Sequence, residues 1–421
     1  MPLRLAPISA HLVRKGVACL MDQNSMLTPT YSVTVGGEKA DFYGYTNEAI
    51  QLAVDALTHR GGGTVKLLPG VFEINAPIRL TSHITLAGSG KATLLRKSGG
   101  VQSRLAVDPG YGQLWVDVED GGLFRPGMGL VVRDNLRPWG WDESTAVIVK
   151  VDHNRLYLDR RLTNDYEQEQ EAIAWNACSL IEAVEADHVT ICDLVLDGNR
   201  ENNGHIGGCR GGGVYLYDVK DVRIANVTVN SFNGDGISWQ ITERVEVTGC
   251  EVTHCSGSGF HPGARSIDTR ILFSTSRDNA QDGLFVCWMV QESIFQGNRF
   301  LSNGRHGISI GHQDTDNLFT ENLVVGNAGH GIYARPETAG NGAHRNRFEA
   351  NTVEDNGRGE GAGFYLEGIT LDWEITGSTI RSTQEQGQAY AIVLRQGASC
   401  KQTNNQMEGH RQDVLSPANN K

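Results

Sequence analysis

No hydrophobic stretch of this chain is long enough to span a bilayer. Residues 1–20 contain Arg4, His11, Arg14 and Lys15 and lack the unbroken apolar core of a signal peptide. On the sequence as given a cytoplasmic location is expected, and a secreted or periplasmic one if a signal peptide has been removed. The eight cysteines (Cys19, Cys178, Cys192, Cys209, Cys250, Cys255, Cys287, Cys400) include no pair at the short spacing of a zinc knuckle or a redox motif, and are read as buried thiols. Positive charge is short as well: the net charge is -12. Neither nucleic acid nor an anionic membrane is therefore expected as a partner, since each calls for a basic face. A polyanionic substrate stays open to a site lined by a few arginines. Proline is scarce too, eleven residues against fifty-one glycines, with 39% of residues apolar. That balance describes many tight turns between short apolar strands, not a helical or a disordered chain.

What is present is a repeat. Gly213, Gly236, Gly259, Gly283, Gly307, Gly331 and Gly363 follow one another at intervals of 23, 23, 24, 24, 24 and 32 residues. After each comes an apolar residue, an outward one, and usually a second apolar one, the alternation of a strand. One coil of a solenoid per interval follows. Asn298, Asn322 and Asn346, and likewise Asn303, Asn327 and Asn351, recur at 24 residues and are read as stacked ladders in the turns. Upstream, Thr46 can cap a short helix with Ile50, Val54 and Leu57 on one face, stopped by Gly61-Gly62-Gly63 and suited to plugging the open end of the stack. Between residues 101 and 166 the pattern shifts to longer alternating strands, a β-rich insertion. Its loop carries Trp139 and Trp141, either a sugar-stacking lid or a hydrophobic plug. The expected organisation is a cap with first coils over 1–100, an insertion over 101–170, the main stack over 171–400 and a polar tail over 401–421, with the helix proper running over about 63–396.

The segments Ala40-Asp41-Phe42, Ala49-Ile50-Gln51, Gly62-Gly63-Thr64-Val65, Leu68-Pro69-Gly70 and Ile84-Thr85-Leu86-Ala87-Gly88 are similar to the opening of the pectate-lyase-like β-helix superfamily. The resemblance implies an all-β fold, a right-handed parallel β-helix. The superfamily includes polygalacturonases, lyases, epimerases and phage tail-spikes.

Equivalent positions of neighbouring coils lie about 4.8 Å apart, so outward residues read as columns. Just before the repeat glycine stand Asp235, Ser258, Asp282, His306 and His330; two places after it His261, Phe285, Ser309, Tyr333 and Tyr365; four after it Cys287, Arg335 and Glu367. Arg265, Trp288, His312 and Glu337 lie a little further on. Asp235 and Asp282 share a column two coils apart, about 9.5 Å, the upper end of the gap between the two carboxylates of an inverting glycosidase. His306, one coil beyond Asp282, is placed to hydrogen-bond to it and tune its protonation. Asp before Gly is equally a common turn residue.

The same coils resemble polygalacturonases in part. Asn233-Gly234-Asp235-Gly236 is similar to that family's Asn-Thr-Asp-Gly, Asp282-Gly283 to part of its paired-Asp motif, Arg305 to Gly311 to its Gly-His-Gly segment, and Gly331 to Arg335 to its Arg-Ile-Lys strand. Gln281 stands where a second Asp would, a further coil separates the first two motifs, and Tyr333 and Arg335 replace the Arg and Lys.

The leading expectation is hydrolysis of a polysaccharide or oligosaccharide, with Asp282 and Asp235 as acid and base, His306 tuning them, His261 in the catalytic group, and Arg265, His330, Tyr333, Arg335, Trp288 and Glu337 holding the sugar. No cofactor is expected. The alternative is a divalent metal, calcium included, near Asp282, where Asp282, His306 and His330 share a column. Two other functions stay open. A lyase or C5-epimerase on a uronate polymer would use His261, His306 or Tyr333 for the proton and Arg265 or Arg335 for the carboxylate. A non-catalytic glycan-binding or tail-spike-like protein would use the aromatics alone. Trp288 either packs or stacks on sugar, and His312 with Glu337 is either a surface ion pair or part of the site.

Overall fold

The computed structural model describes residues 31–416 apart from 137–139, 358, 385–386 and 396. Trp139, Cys19, the residues of the segment 1–20 and the end of the expected tail lie outside the described residues. Among the described residues thirty-one strands form one sheet wound into coils, and its strands pair in parallel, which a continuously advancing solenoid requires. The later coils carry three strands each, where in an earlier one Val214–Asn230 runs through as a single strand. In one of the later coils the strands are Ile308–Ile310, Leu318–Thr320 and Leu323–Val325, and each pairs with its counterpart in the next: Ile308 with Ile332, Phe319 with Phe348, Val324 with Val353.

The glycine register holds. Val214, Ile237, Phe260, Leu284, Ile308, Ile332 and Phe364, each one residue past a repeat glycine, pair in sequence and are all buried. A side chain at the glycine itself has no room: a Cβ on Gly307 would lie 2.3 Å from Val324 Cγ1 and 2.8 Å from the Gly331 carbonyl. Like residues stack along the core. Phe295, Phe319 and Phe348 are face to face with centroids 4.7 and 4.6 Å apart, and Trp373 continues the row at 4.9 Å.

The turns are held by asparagines, with a correction to their membership. Asn298 donates its backbone and side-chain N–H to Asn322 Oδ1, and Asn322 does the same to Asn351. Asn303 leads to Asn327 and on to Asn356, while Asn346 belongs with Asn317. The coil between these partners is 29 residues long, five more than the 24 of the coil before it, because extra residues loop out near residues 336–345, and a constant step of 24 points one ladder off.

The capping helix is Asn47–Thr58, with the Thr46 side chain accepting from the Ala49 N–H. Its Ile50, Val54 and Leu57 are buried over the first coils. The stack is longer than expected at both ends. Ser32–Gly36 precedes the helix and pairs with Gly63–Leu67. Beyond residue 400, where a polar tail was expected, Cys400–Thr403, Gln406–Glu408 and Gln412–Leu415 add a final coil. Lys401, Gln402, Gln406 and Gln412 are exposed. Among the described residues no further coil pairs with it, and its residues read as polar.

The insertion is a separate six-stranded antiparallel sheet from Gln102–Arg104 to Ile173–Trp175, with its own core around Val116, Leu130, Ile148 and Leu156. It joins the early coils through Asn176 Nδ2, which donates to the Asn75 and Gly129 carbonyls, and through Arg160, whose guanidinium is 2.9 Å from Glu182.

Candidate functional site

The column before the repeat glycine turns inward, where the alternation read it as outward. Asp282 is 0% exposed and Asp235 8%. Each of these side chains accepts from the backbone of the coil ahead: Asp235 Oδ1 from Ser258 N–H, Asp282 Oδ1 from His306 N–H, His306 Nδ1 from His330 N–H and His330 Nδ1 from Ala362 N–H. This is the asparagine ladder in other residues. Three expectations are corrected by it. Asp282 does not point into a groove. His306 bonds to Asp282 through its backbone N–H and not through its ring. The Nδ1 atoms of His306 and His330 are spent on the backbone, and among the described residues no three His, Cys, Asp or Glu are grouped to hold a metal ion, so the column does not fit the divalent-metal alternative.

Burial raises the carboxyl pKa of Asp282, with the Asp235 charge adding to it, while Arg305, the His306 N–H and Arg335 oppose the rise. Its Oδ2 has no hydrogen-bond partner. Asp235 Oδ2 lies 2.6 Å from His261 Nδ1, and His261 is 3% exposed. Burial pulls that imidazole down, but the Asp235 hydrogen bond, with contributions from Cys287, holds it up at about 10. A loop lies on this pair. A Cβ on Gly208 would fall 1.8 Å from Asp235 Oδ2 and 2.5 Å from His261 Nδ1, so only glycine lets the loop seat there. The insertion clamps the loop from outside: Glu143 Oε2 accepts from Gly207 N–H at 2.7 Å, and Arg210 donates to the Trp141 carbonyl with its guanidinium 5.2 Å from the Trp141 ring centre. Trp141 thus serves the packing of the loop, as the plug reading has it.

The open part of the face lies further along. His306 and Tyr333 stack with centroids 4.3 Å apart, His330 and Tyr365 at 4.1 Å, and the two imidazoles at 5.4 Å. All four are half-buried. Since Nδ1 of each imidazole accepts a backbone N–H, the ring proton sits on Nε2 and each ring presents a donor. Burial first, then neighbouring positive charge, lowers His306 to about 3; burial likewise lowers His330 to about 4, with Glu367 opposing. Both rings are neutral at pH 7. The Tyr333 hydroxyl donates to Glu367 Oε2, and burial together with Glu367 raises the phenol pKa.

Arg335 is anchored beside this strip. It donates to Ser309 Oγ at 3.0 Å, the Val286 carbonyl at 2.7 Å and Asp314 Oδ2 at 3.3 Å, and lies over the Phe285 ring at 4.7 Å. Three of its five N–H groups are engaged and two are left for a ligand. Trp288 is 53% exposed and stacks on His312 at 4.5 Å, and His312 Nδ1 is 3.3 Å from Glu337. Trp288 and Met289 both have positive φ, 58° and 62°, a costly backbone for side chains with a Cβ. Arg265 is exposed, and its backbone N–H bonds to the Trp288 carbonyl.

The structure therefore brings His306, His330, Tyr333 and Arg335 together on an open strip, leaves Trp288 exposed beside the half-buried His312 and Glu337, and buries Asp235, His261 and Asp282. The sequence places Tyr365 and Glu367 in the outward columns without marking a role for them, and it gives no sign of Asp314. The first two stand in the same columns as Arg335 and Tyr333 and were available there. Asp314 lies in the turn after the strand, where no column reaches.

These titrations give the stack a stability maximum near neutrality. His306 and His330 are depressed from an unfolded value of about 6.5, so their contribution is present above that pH and is lost as pH falls toward 4 and 3. His261 is raised, so its contribution is present below about 6.5 and lost as pH climbs toward 10. His306→Asn keeps an acceptor for the His330 N–H and removes one titration. Thermal unfolding between pH 4 and 6.5 is expected to show a shallower fall in Tm for the variant than for the parent; identical slopes would remove the ladder imidazole as the cause.

Residues 194–368 match the family model described as a right handed beta helix region. Among curated proteins the chain is 26% identical over 310 residues to "Mannuronan C5-epimerase AlgE5" of Azotobacter vinelandii, covering 72% of this chain and 22% of that one. It is 26% identical over 281 residues to "Alginate lyase 7" of the same organism, covering 66% and 23%. The chain thus spans less than a quarter of the length of these relatives. Among solved structures, the A-module of mannuronan C-5 epimerase AlgE4 from A. vinelandii superposes with a TM-score of 0.57 at 16% identity, covering 88% of this chain and 94% of that one. The polygalacturonase of Erwinia carotovora gives 0.57 at 14%, covering 94% and 98%. At such identities the likeness is one of fold: this chain is a right-handed parallel β-helix.

Proposed function

We propose that this chain is a polysaccharide-modifying enzyme acting on a uronate polymer, and that its chemistry is proton transfer at C5, as in an epimerase or a lyase, rather than hydrolysis. The observation that carries this is the location of the titratable groups. The two aspartates expected to hydrolyse a glycosidic bond are buried and bonded to backbone N–H groups, while the open strip offers a phenol, two neutral imidazoles and a guanidinium. The names of the relatives, mannuronan C5-epimerases and an alginate lyase, support the same class of substrate.

The C5 hydrogen of a uronate is acidified by the adjacent carboxylate once its negative charge is met. Arg335, held rigid by Asp314 and Ser309, supplies that charge through its two remaining N–H groups. Tyr333 takes the C5 proton as its own proton passes to Glu367, so the phenol and carboxylate act as one base. The Nε2–H groups of His306 and His330 donate to the charge that develops on the substrate carboxylate oxygens. A proton delivered from water to the opposite face of C5 inverts the sugar; expulsion of the 4-linked oxygen, which takes a proton from water and leaves as a hydroxyl, instead cleaves the chain and leaves an unsaturated end. Trp288 is a platform for a neighbouring sugar ring.

A screen on polymannuronate, polyguluronate, polygalacturonate and neutral glycans separates the readings when reducing ends and ultraviolet absorbance are followed together. A uronate polymer altered in C5 configuration without new ends, or cleaved with absorbance, is the expected result. Reducing ends without absorbance mean hydrolysis, for which Glu337 and Glu367 are the carboxylates on the open face. Binding with no chemistry means a glycan-binding protein.

A further inference from the structure

The open strip does not end at Tyr365. The strand Tyr390–Leu394 pairs with Ala362–Leu366, setting Val393 beside Tyr365 and Leu394 beside Leu366. The next residue, Arg395, therefore follows Arg335 and Glu367 in one outward column, one coil per step. Its Nε–H donates to the Tyr365 hydroxyl at 2.6 Å, and its guanidinium lies 5.1 Å from the centre of the Tyr365 ring. That ring stacks in turn on His330. Arg395 thus carries the row of rings one step further toward the C-terminal end of the stack.

This arginine differs from its neighbours in what holds it. Arg335 is tied to Asp314, Arg381 to Glu354 and Arg411 to Glu360. Glu367, beside Arg395 in the column, is committed to the Tyr333 hydroxyl. Among the described residues no carboxylate pairs with Arg395, and of its five N–H groups only the one on Nε is engaged. The residue is exposed. A surface arginine with no partner ordinarily samples many rotamers; here the ring and hydroxyl of Tyr365 fix the plane of the guanidinium and leave both Nη atoms free. A fixed fork of that kind matches a carboxylate with two parallel N–H bonds.

We propose that Arg395 is a second carboxylate-binding site on the strip, taking a uronate residue further along the same chain than the one held by Arg335; this rests on the reading of the substrate as a uronate polymer. The Arg335 guanidinium leans back past Gly311 to Ser309 and the Val286 carbonyl, and that of Arg395 leans one coil back to Tyr365. The two heads are therefore two to three coils apart, about 10–14 Å at the coil step. One carboxylate cannot reach both. A chain lying along the stack can, with one sugar against Trp288, the reacting residue over Tyr333 and a further uronate over Tyr365. Arg395 touches no reacting atom, so its part is to select for length and for negative charge.

The test immobilises the intact protein and flows mannuronate dimer, mannuronate hexamer and the neutral mannohexaose over it, so that ligand altered by turnover is continually replaced. The hexamer is expected to bind more tightly than the dimer, and Arg395→Gln to weaken hexamer binding by about tenfold, the worth of a hydrogen-bonded charge at an exposed site. Binding of the dimer and of mannohexaose should change by less than about twofold. Should Arg395→Gln disturb the last coil, seen as a fall in Tm, Arg395→Lys keeps the cation without the fork and should show a smaller loss for the hexamer alone. Hexamer binding within about twofold of the parent in Arg395→Gln overturns the inference and leaves the uronate reading standing. An equal loss for mannohexaose also overturns it, because the contact is then with the sugar ring and not with its carboxylate. Hexamer bound by neither protein removes the uronate reading and the second site together.

Discussion

Replacing Tyr333 by Phe is expected to lower turnover on a uronate polymer by a factor of about 100 or more, the usual loss when a positioned proton-transfer group is removed. The change takes away one oxygen. The ring that stacks on His306 at 4.3 Å remains, and the strand Ile332–Ala334 keeps its pairing with Ala362–Leu366, so Tm should stay within about 1–2 °C of the parent. The loss should fall on kcat with KM nearly unchanged, because the hydroxyl is spent on Glu367 in the resting enzyme and acts only as the proton moves. Glu367→Gln leaves the phenol a neutral acceptor in place of a carboxylate and should lower kcat in the same direction. Arg335→Lys should raise KM as well, since one ammonium cannot both hold Asp314 and Ser309 and meet a substrate carboxylate with two N–H groups. Tyr333→Phe retaining turnover within about fivefold would take proton transfer away from this residue.

The second large effect is on stability. Asn322→Leu fills a similar volume in the turn ladder but removes every polar atom from it. Asn322 Oδ1 accepts both the backbone and the side-chain N–H of Asn298, and its Nδ2 donates to the Phe295 carbonyl and to Asn351 Oδ1. Four bonds are lost: the Asn298 backbone N–H and the Phe295 carbonyl lose their Asn322 partner, and Asn298 Nδ2 keeps only the Ile271 carbonyl, Asn298 itself being 0% exposed. At about 1–3 kcal/mol for each orphaned group the cost is on the order of 3–5 kcal/mol. Because each coil contacts only its neighbours, the damage should be local first: hydrogen exchange should rise at Phe295, Asn298 and Asn351 before it rises at the capping helix. Chemical denaturation of Asn322→Leu within about 1 kcal/mol of the parent would mean that the ladder is decorative.

The fold was legible because a solenoid writes its geometry as a period. Gly236, Gly259, Gly283 and Gly307 sit where the next coil's carbonyl leaves no room for a Cβ, so their spacing is the coil length. Two features defeated that reading for physical reasons. A period cannot announce where one coil is longer, and the longer coil before Asn346 displaced both asparagine ladders by one member. The last coil is exposed on its outer side, so Lys401, Gln402 and Gln406 gave no apolar alternation. At the site, Tyr333 and Arg335 were correctly placed outward because they lie within strand alternation. Asp282, His306 and His330 lie two residues before the strand, where the chain is still turning and a side chain runs along the stack to the next backbone N–H. Alternation carries no information there. Asp235 and His261 also read as surface residues, because nothing in their own coil reveals that Gly208, from a loop more than twenty residues earlier, lies on top of them.

Proton transfer at C5 separates this chemistry from hydrolysis. Polymannuronate treated with the enzyme in deuterium oxide and examined by proton and carbon NMR tests this directly. C5 is expected to lose its protium only when active enzyme is present, seen as deuterium at C5 of inverted residues or as unsaturated chain ends, with both signals nearly abolished in Tyr333→Phe. Chain cleavage that generates reducing ends while every C5 keeps its protium would contradict the account and return the site to hydrolysis.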